Sequence, residues 1–235
     1  MSRICAIHQP NFFPWMGYFD KIRRADTFVF LDAVDYPRSG SGGMGSWSNR
    51  VKIAVQGEPA WFGCPVDKKT SDGAIMDVCI AADPRWKKKA LKTIQMNYAK
   101  SPNFDRAMSL VTDLIQQDTR SIADFNIHAV ETIAHVLGLE TPFVRQSALD
   151  TKNASTSLLI EICDAVDCDT YLAGGGAGGY QEDDLFEQAG IRLEYQGFTP
   201  HPYGDENQFQ PGLSVIDYLF HAEGIEFDRF KGNRS

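Results

Sequence analysis

Residues 3–32, RICAIHQPNFFPWMGYFDKIRRADTFVFLD, decide the fold. Residues 3–8 alternate into a short apolar strand ending at His8, after which Phe19, Ile22 and Ala25 recur at helical spacing. Thr27 to Leu31 is a run of β-forming residues that delivers Asp32 at its end. Strand, loop, helix and strand within about 30 residues make a βαβ unit, whose parallel strands need a covering helix. The expected fold is therefore α/β, a doubly wound and mostly parallel sheet of Rossmann-like, nucleotidylyltransferase-like type.

Beyond that unit, residues 47–53 and 61–66 predict strands, and residues 84–138 predict a helical insertion within a single domain spanning 1–235. Two apolar stripes mark that insertion: Trp86, Ala90, Ile94 and Tyr98, then Phe104, Met108, Val111, Leu114 and Ile115. Ser121 reads as an N-cap with Asp124 three residues on, and Gly138 as a C-terminal stop. The α/β pattern resumes at Phe143. A helix is expected over 157–166, a strand over 169–173, a glycine-rich turn over 174–179, a helix over 182–189 and a strand over 191–198. Ser214 with Asp217 caps a last helix through Phe220, and Ser155-Thr-Ser157 reads as an N-cap for the helix that follows it.

Composition narrows the function classes. The chain has 235 residues, 43% hydrophobic and 23% charged, with 23 Lys and Arg against 31 Asp and Glu, a formal net charge of −8. That acidic balance disfavours nucleic-acid and membrane-surface binding, which both need excess cations. No apolar run approaches the roughly 20 residues of a membrane span, and no signal peptide is read at the start, so the expectation is cytoplasmic. Five cysteines (Cys5, Cys64, Cys79, Cys163 and Cys168) form no C-x-x-C pair, which favours buried thiols over a disulfide framework; no metal site is read.

Three constellations carry chemistry. The first follows the opening strand: His8, Gln9, Trp15, Gly17 and Lys21 lie where parallel sheets bind ligands, outside the strand carboxyl ends. A histidine there can move a proton near neutral pH or donate to a phosphoryl oxygen, and Lys21 can supply a cation at the same mouth. The bland alternative is a Pro-rich turn whose aromatics only pack. The second is Asp32 with Asn49 and Arg50: a strand-end carboxylate can orient a histidine, and Arg offers a bidentate fork for an anion. A surface salt bridge explains these residues about as well. The third is Tyr171, Gly174 and Tyr180 around the glycine-rich turn, whose N–H groups can face a diphosphate, with Ser157 a minor hydroxyl candidate. The turn lacks the Lys-Ser/Thr ending of a P-loop, and a tight connection serves equally well. His128 and His135 project away from the apolar face of their helix and read as solvent-facing.

Together, His8-Gln-Pro with Pro14-Trp-x-Gly-Tyr-Phe-x-Lys21, Ala25-Asp-Thr-Phe-Val-Phe-Leu-Asp32, Asn49-Arg50, Trp61 with Pro65-Val66, Tyr171-Leu-Ala-Gly174, Gly190-Ile191 and Pro211-x-Leu-Ser-Val-Ile-Asp-Tyr-Leu-Phe220 resemble the WbqC-like protein family, in its order and over most of the chain. The glycines at 39–45 and the segment 201–208 lengthen the family's usual pattern. A more distant similarity is to nucleotidylyltransferases, although Asn11 stands where those carry a second histidine. The resemblance implies an enzyme of bacterial surface polysaccharide (O-antigen) assembly. The expected activity is that of a transferase passing an acyl or aminoacyl group to a nucleotide-activated amino sugar. A nucleotidylyl-transfer enzyme and a non-catalytic binding protein are the alternatives. His8 would be general base or phosphate contact, Lys21 and Arg50 anion binders, and Asp32 the orienting carboxylate. The partners implied are a nucleotide sugar or an activated acyl donor; no cofactor is assigned.

Overall fold

The computed structural model describes residues 2–37, 47–83, 85–175 and 182–222. Five parallel strands make the central sheet: β1 (Ile4–His8), β2 (Thr27–Phe30), β5 (Phe143–Arg145), β6 (Thr170–Ala173) and β7 (Arg192–Tyr195), in the order β5-β2-β1-β6-β7. α1 (Met16–Arg24) carries the chain from β1 back to pair with β2, as the βαβ reading requires. α5 (Ser155–Ala165) precedes β6, and α6 (Asp183–Gln188) joins β6 to β7. The fold is α/β, Rossmann-like and doubly wound. β2 and β6 are buried at every residue, the continuous apolar pattern of strands covered on both faces.

The remaining elements are a two-stranded antiparallel ribbon, β3 (Arg50–Val55) with β4 (Glu58–Gly63), three helices α2 (Arg85–Tyr98), α3 (Phe104–Gln116) and α4 (Ile122–Val136), and α7 (Val215–His221). By contact the chain divides into two compact units. One comprises residues 1–9, 17–33 and 139–199; the other comprises 10–16, 34–138 and 200–235. The sheet belongs to the first unit, and the ribbon with α2, α3, α4 and α7 to the second.

In the first unit an aromatic column fills one side of the sheet: Tyr18, Phe28, Phe30 and Phe143, with ring centroids 5.2–5.9 Å apart from neighbour to neighbour. The second unit is built on Phe12, Phe13, Phe62, Phe125 and Trp86, whose rings meet at 4.9–6.0 Å. Phe12 and Phe13 are fully buried, so the aromatics after the first strand are core residues. Phe13 takes a φ of 39°, a left-handed conformation that a phenylalanine holds only when its surroundings enforce it. They do so here. The Phe12 N–H donates to the Trp47 carbonyl (2.9 Å), Ser214 Oγ to the Phe13 carbonyl (2.7 Å), and the Val215 N–H to the Pro14 carbonyl (2.8 Å). Asn126, wholly buried on α4, donates through Nδ2 to the carbonyls of Pro10 (2.9 Å) and Ser48 (2.7 Å). Four carbonyl and amide groups of residues 10–14 are thereby fixed.

Several local expectations are corrected. The strand expected over 61–66 lies over Glu58–Gly63, because Gln56 (φ 53°) and Gly57 (φ 83°) form a two-residue hairpin turn. Positive φ at both central positions matches the strand twist, and glycine meets it without strain. Ser155 is not a cap: the N-cap is Ala154, which makes no side-chain bond, and Ser155 has a φ of 53°. Ser121 and Ser214 do cap their helices, accepting from Asp124 N and Ile216 N. The glycine-rich loop before Trp47 and most of the turn after Gly174 lie outside the described residues.

Replacing Asn126 by Ala removes two buried hydrogen bonds and strands two carbonyls, a loss of about 1–3 kcal/mol. Urea denaturation should show a lower midpoint with an unchanged m-value.

Candidate functional site

β1 is the strand at which the sheet order reverses, with β2 and β5 on one side and β6 and β7 on the other. In open α/β sheets the crevice at such a switch point, outside the strand carboxyl ends, is where ligands bind. β1 ends on His8. The β1–β6 register pairs Ile4 with Thr170, Cys5 with Tyr171 and Ala6 with Leu172. Carried two residues further, it sets Gly174 level with His8, so two of the three sequence constellations meet at one sheet edge.

Lys21 completes the cluster. It lies on α1, is 2% exposed, and its Nζ donates 2.8 Å to the Ile7 carbonyl, one residue before the end of β1. The same Nζ stands 5.8 Å from the Tyr171 ring centroid, a cation–π contact across to β6. Tyr171 is held by stacking on Phe186 at 5.3 Å and 13°, and burial pushes its phenol up. Among the described residues no carboxylate pairs with Lys21. Burial pulls the ammonium down to about 8, against a smaller opposing effect of the Cys5 thiol.

His8 is partly exposed. Its ring lies 4.8 Å from that of Tyr18, and its Nδ1 is 3.1 Å from the Gln9 carbonyl. A carbonyl only accepts, so Nδ1 carries the proton and Nε2 presents a lone pair. The Tyr18 hydroxyl donates to that same carbonyl at 3.0 Å, fixing the orienting group. Desolvation first, and then the Lys21 charge, lower the imidazole to about 3, while the Gln9 carbonyl opposes them. At pH 7 a neutral histidine therefore stands beside a lysine that is still mostly protonated. An anion placed between them would favour the charged form of both groups, making His8 a stronger base in the loaded site.

Asp32 does not orient His8. Its carboxylate, 1% exposed, accepts from Ser147 N (2.9 Å) and Ser147 Oγ (2.7 Å), clamping the turn Gln146–Ala148 that follows β5. The orienting partner of His8 is the Gln9 carbonyl instead. Gly17 is buried with its carbonyl bonded to Gln196 Nε2 at 2.7 Å. Gln196 also donates to Asp20 (2.9 Å), which pairs with Arg23 (2.9 Å), and Arg24 donates to the Gln196 carbonyl. This polar brace sets the pitch of α1, and with it Lys21; no pattern in the sequence announced Gln196. Ser157 is exposed on the first turn of α5, whereas its neighbour Thr156 is buried and accepts from Glu182 N. Tyr180 lies outside the described residues.

The other candidates belong to the second unit. Asn49 donates through Nδ2 to the Cys64 carbonyl at 3.1 Å and so closes the end of the ribbon. Arg50 lays its guanidinium 4.3 Å over the ring of Trp61, and Trp15 stands 36% exposed just before α1. Burial raises the Cys64 thiol to about 12, which leaves it un-ionised at neutral pH. His128 and His135 are exposed. Cys5, Cys163 and Cys168 gather as hydrogen-bonded thiols, and among the described residues no group of three or more His, Cys, Asp or Glu is arranged to hold a metal. No helix of the described residues is long and apolar enough to cross a membrane.

A fall in Lys21 from 10.5 to about 8 means that burying its charge destabilises the fold, by an amount on the order of 3 kcal/mol. Lys21→Met should therefore raise the melting temperature by roughly 3 °C or more. The unfolded chain holds the proton up to 10.5 and the native one only to about 8, so wild-type stability rises with pH across that window. The gap between wild type and variant should be full below pH 8 and close towards pH 10.5 in calorimetric scans.

A protein of Mycobacterium tuberculosis (strain ATCC 25618 / H37Rv) described as Uncharacterized protein Rv1507c is 24% identical over 232 residues, covering 96% of this chain and 97% of that relative. No solved structure matches. The family model for the WbqC-like protein family matches residues 9–226, a span that includes Lys21, the ribbon, β6 and α7. The chain belongs to the WbqC-like protein family.

Proposed function

We propose that this protein is a transferase of bacterial surface-polysaccharide assembly that passes an acyl or aminoacyl group to a nucleotide-activated amino sugar. The observation that supports it most is the buried ammonium of Lys21, which meets no carboxylate among the described residues, beside a neutral His8 at the switch point of a parallel sheet. A buried charge kept without a partner destabilises the protein, and an anionic group of the substrate is the natural counterion. Family membership favours a sugar-pathway role for that anion.

In this reading a phosphate or carboxylate oxygen of the substrate pairs with Lys21. The sugar amine, deprotonated as it attacks the acyl carbonyl, gives its proton to His8 Nε2, and His8 then returns it to the leaving group. The anion at Lys21 raises the basicity of His8 when it is needed, because the same charge that holds the substrate stabilises imidazolium. Gln9 serves through its carbonyl, which keeps His8 in the tautomer with Nε2 unprotonated. Asp32 and Gln196 are positioning residues that act through the turn after β5 and through α1. Arg50 and Asn49 are assigned to substrate binding on the ribbon, Ser157, Gly174 and Tyr180 to the neighbourhood of the turn after β6.

A nucleotidylyl transfer is the second reading. A single strand-end histidine with a nearby cation also suits a triphosphate, and release of pyrophosphate from a nucleoside triphosphate plus a sugar phosphate would identify it.

Mass spectrometry of purified protein with nucleotide-activated amino sugars and acyl donors should detect the transferred mass. His8→Ala should abolish it with a melting temperature within about 4 °C of wild type. Because anion capture needs protonated Lys21, kcat/KM should fall above pH 8, with an apparent pKa of about 8. Unchanged turnover in His8→Ala would remove the imidazole from the mechanism.

A further inference from the structure

Within the second unit a hydroxyl, an imidazole and a carboxylate stand in line. Ser101, in the turn between α2 and α3, sets its Oγ 3.2 Å from His221 Nε2 at the end of α7. His221 Nδ1 lies 3.0 Å from the Asp217 carbonyl one turn back, and 3.6 Å from the Asp217 carboxylate. A carbonyl only accepts, so Nδ1 carries the proton and Nε2 turns its lone pair to Ser101, whose hydroxyl donates. The carboxylate is itself fixed, accepting from the Tyr98 and Tyr203 hydroxyls at 3.0 and 2.8 Å. Gly204 (φ 65°) closes on the imidazole's root: a Cβ there would meet His221 Cβ at 3.1 Å and the His221 carbonyl oxygen at 3.2 Å. This is the order of a nucleophile, its base and the group that orients the base.

Anchoring α7 does not require the Ser101–His221 pair. That helix is already held by the two tyrosines on Asp217, by stacking of Tyr98 on Phe220 at 4.7 Å, and by Asn103 Nδ2 donating to the Leu219 and Ala222 carbonyls. Ser101 is half-buried and the His221 side chain 36% exposed, so their hydrogen bond is traded against water and adds little. Because Asn103 spends its amide on α7, it makes no side-chain cap for α3, whose first turn opens two residues beyond Ser101. Backbone N–H groups of such a turn suit a forming oxyanion. Beside it runs an apolar groove lined by Ala107, Leu110, Val136, Leu219 and Ala222, with Asn103 at its side.

We propose that Ser101 and His221 are a serine nucleophile and its general base, which cleave carboxylic esters whose short aliphatic acyl chain lies in that groove. Ser101 Oγ bonds to the acyl carbon as its proton passes to His221 Nε2. The ester C–O bond then breaks, and the leaving alcohol takes that proton. Water resolves the acyl-serine by the same route, releasing a carboxylic acid and restoring Ser101. The inference goes beyond the transferase reading and needs neither His8 nor Lys21.

Intact-mass spectrometry of the full chain after treatment with a fluorophosphonate, and release of p-nitrophenol from p-nitrophenyl butyrate, test it. Wild type should gain one phosphonyl group with loss of fluoride, mapped by peptide analysis to Ser101, and should hydrolyse the ester saturably. Ser101→Ala should lose both. His221→Gln, which keeps the hydroxyl and removes the base, should slow both by about 100-fold or more with a cooperative melting curve retained. Should Ser101→Ala fail to fold, the position of the wild-type adduct and the His221→Gln rates decide. His8→Ala should label and hydrolyse as wild type does, so this activity and the transferase reading fail independently. No adduct on wild type, an adduct on another residue, or unchanged rates in His221→Gln would overturn the proposal.

Discussion

A positive charge held at the end of a parallel sheet, with no carboxylate among the described residues to meet it, is the constraint around which the first unit is arranged. Lys21 reaches that place because α1 is buried along almost its whole length and because Gln196 and Asp20 fix where α1 begins. It donates one hydrogen bond to the Ile7 carbonyl and its charge faces the Tyr171 ring, neither of which neutralises it. A methionine of similar length would bury more favourably at that position, so the charge costs stability where it stands. The depressed imidazole of His8 follows from the same cause, as burial and a neighbouring cation act in one direction.

The βαβ opening was legible because two different periodicities, alternation to His8 and helical spacing from Phe19, abut within a few residues. His8 and Lys21 could be singled out for the same reason: a strand end and the following helix are close in sequence as well as in space. Asp32 shows where such reading stops. A carboxylate at a strand end is equally suited to orienting a histidine and to clamping a turn, and its actual partner, Ser147, lies 115 residues away in sequence. Asn126 was hidden for a related reason, since an amide within an apolar helix face gives no hint of which two carbonyls it will serve. Gln56-Gly57 is a weaker hairpin signal than Asn-Gly, so β3 and β4 were read as separate strands and the face shared by Lys52 and Trp61 went unseen.

The two units divide the chemistry. The first carries His8 and Lys21, the residues proposed to move the proton and to hold the anion. The second carries ring stacking and surface cations on a short ribbon, together with a loop, residues 10–14, whose backbone is bonded to Trp47, Asn126, Ser214 and Val215. The polar centre of the second unit is Asp217, which accepts from the Tyr98 and Tyr203 hydroxyls at 3.0 and 2.8 Å and draws the His221 imidazole upward. Each of these groups is satisfied by its neighbours, and together they hold α7 in place. Lys21 differs from them in meeting no carboxylate among the described residues, and this contrast is the reason it is proposed as an anion-binding residue.

The most direct test of that account is an NMR titration of the Lys21 side chain, followed through its Cε resonance with and without a nucleotide-activated amino sugar. The account predicts a midpoint near pH 8 in the unliganded protein and an upward displacement on adding the sugar nucleotide, as its anion becomes the missing counterion. A midpoint near 10.5 that the ligand leaves unmoved would show an ordinary solvated lysine, and would contradict the account.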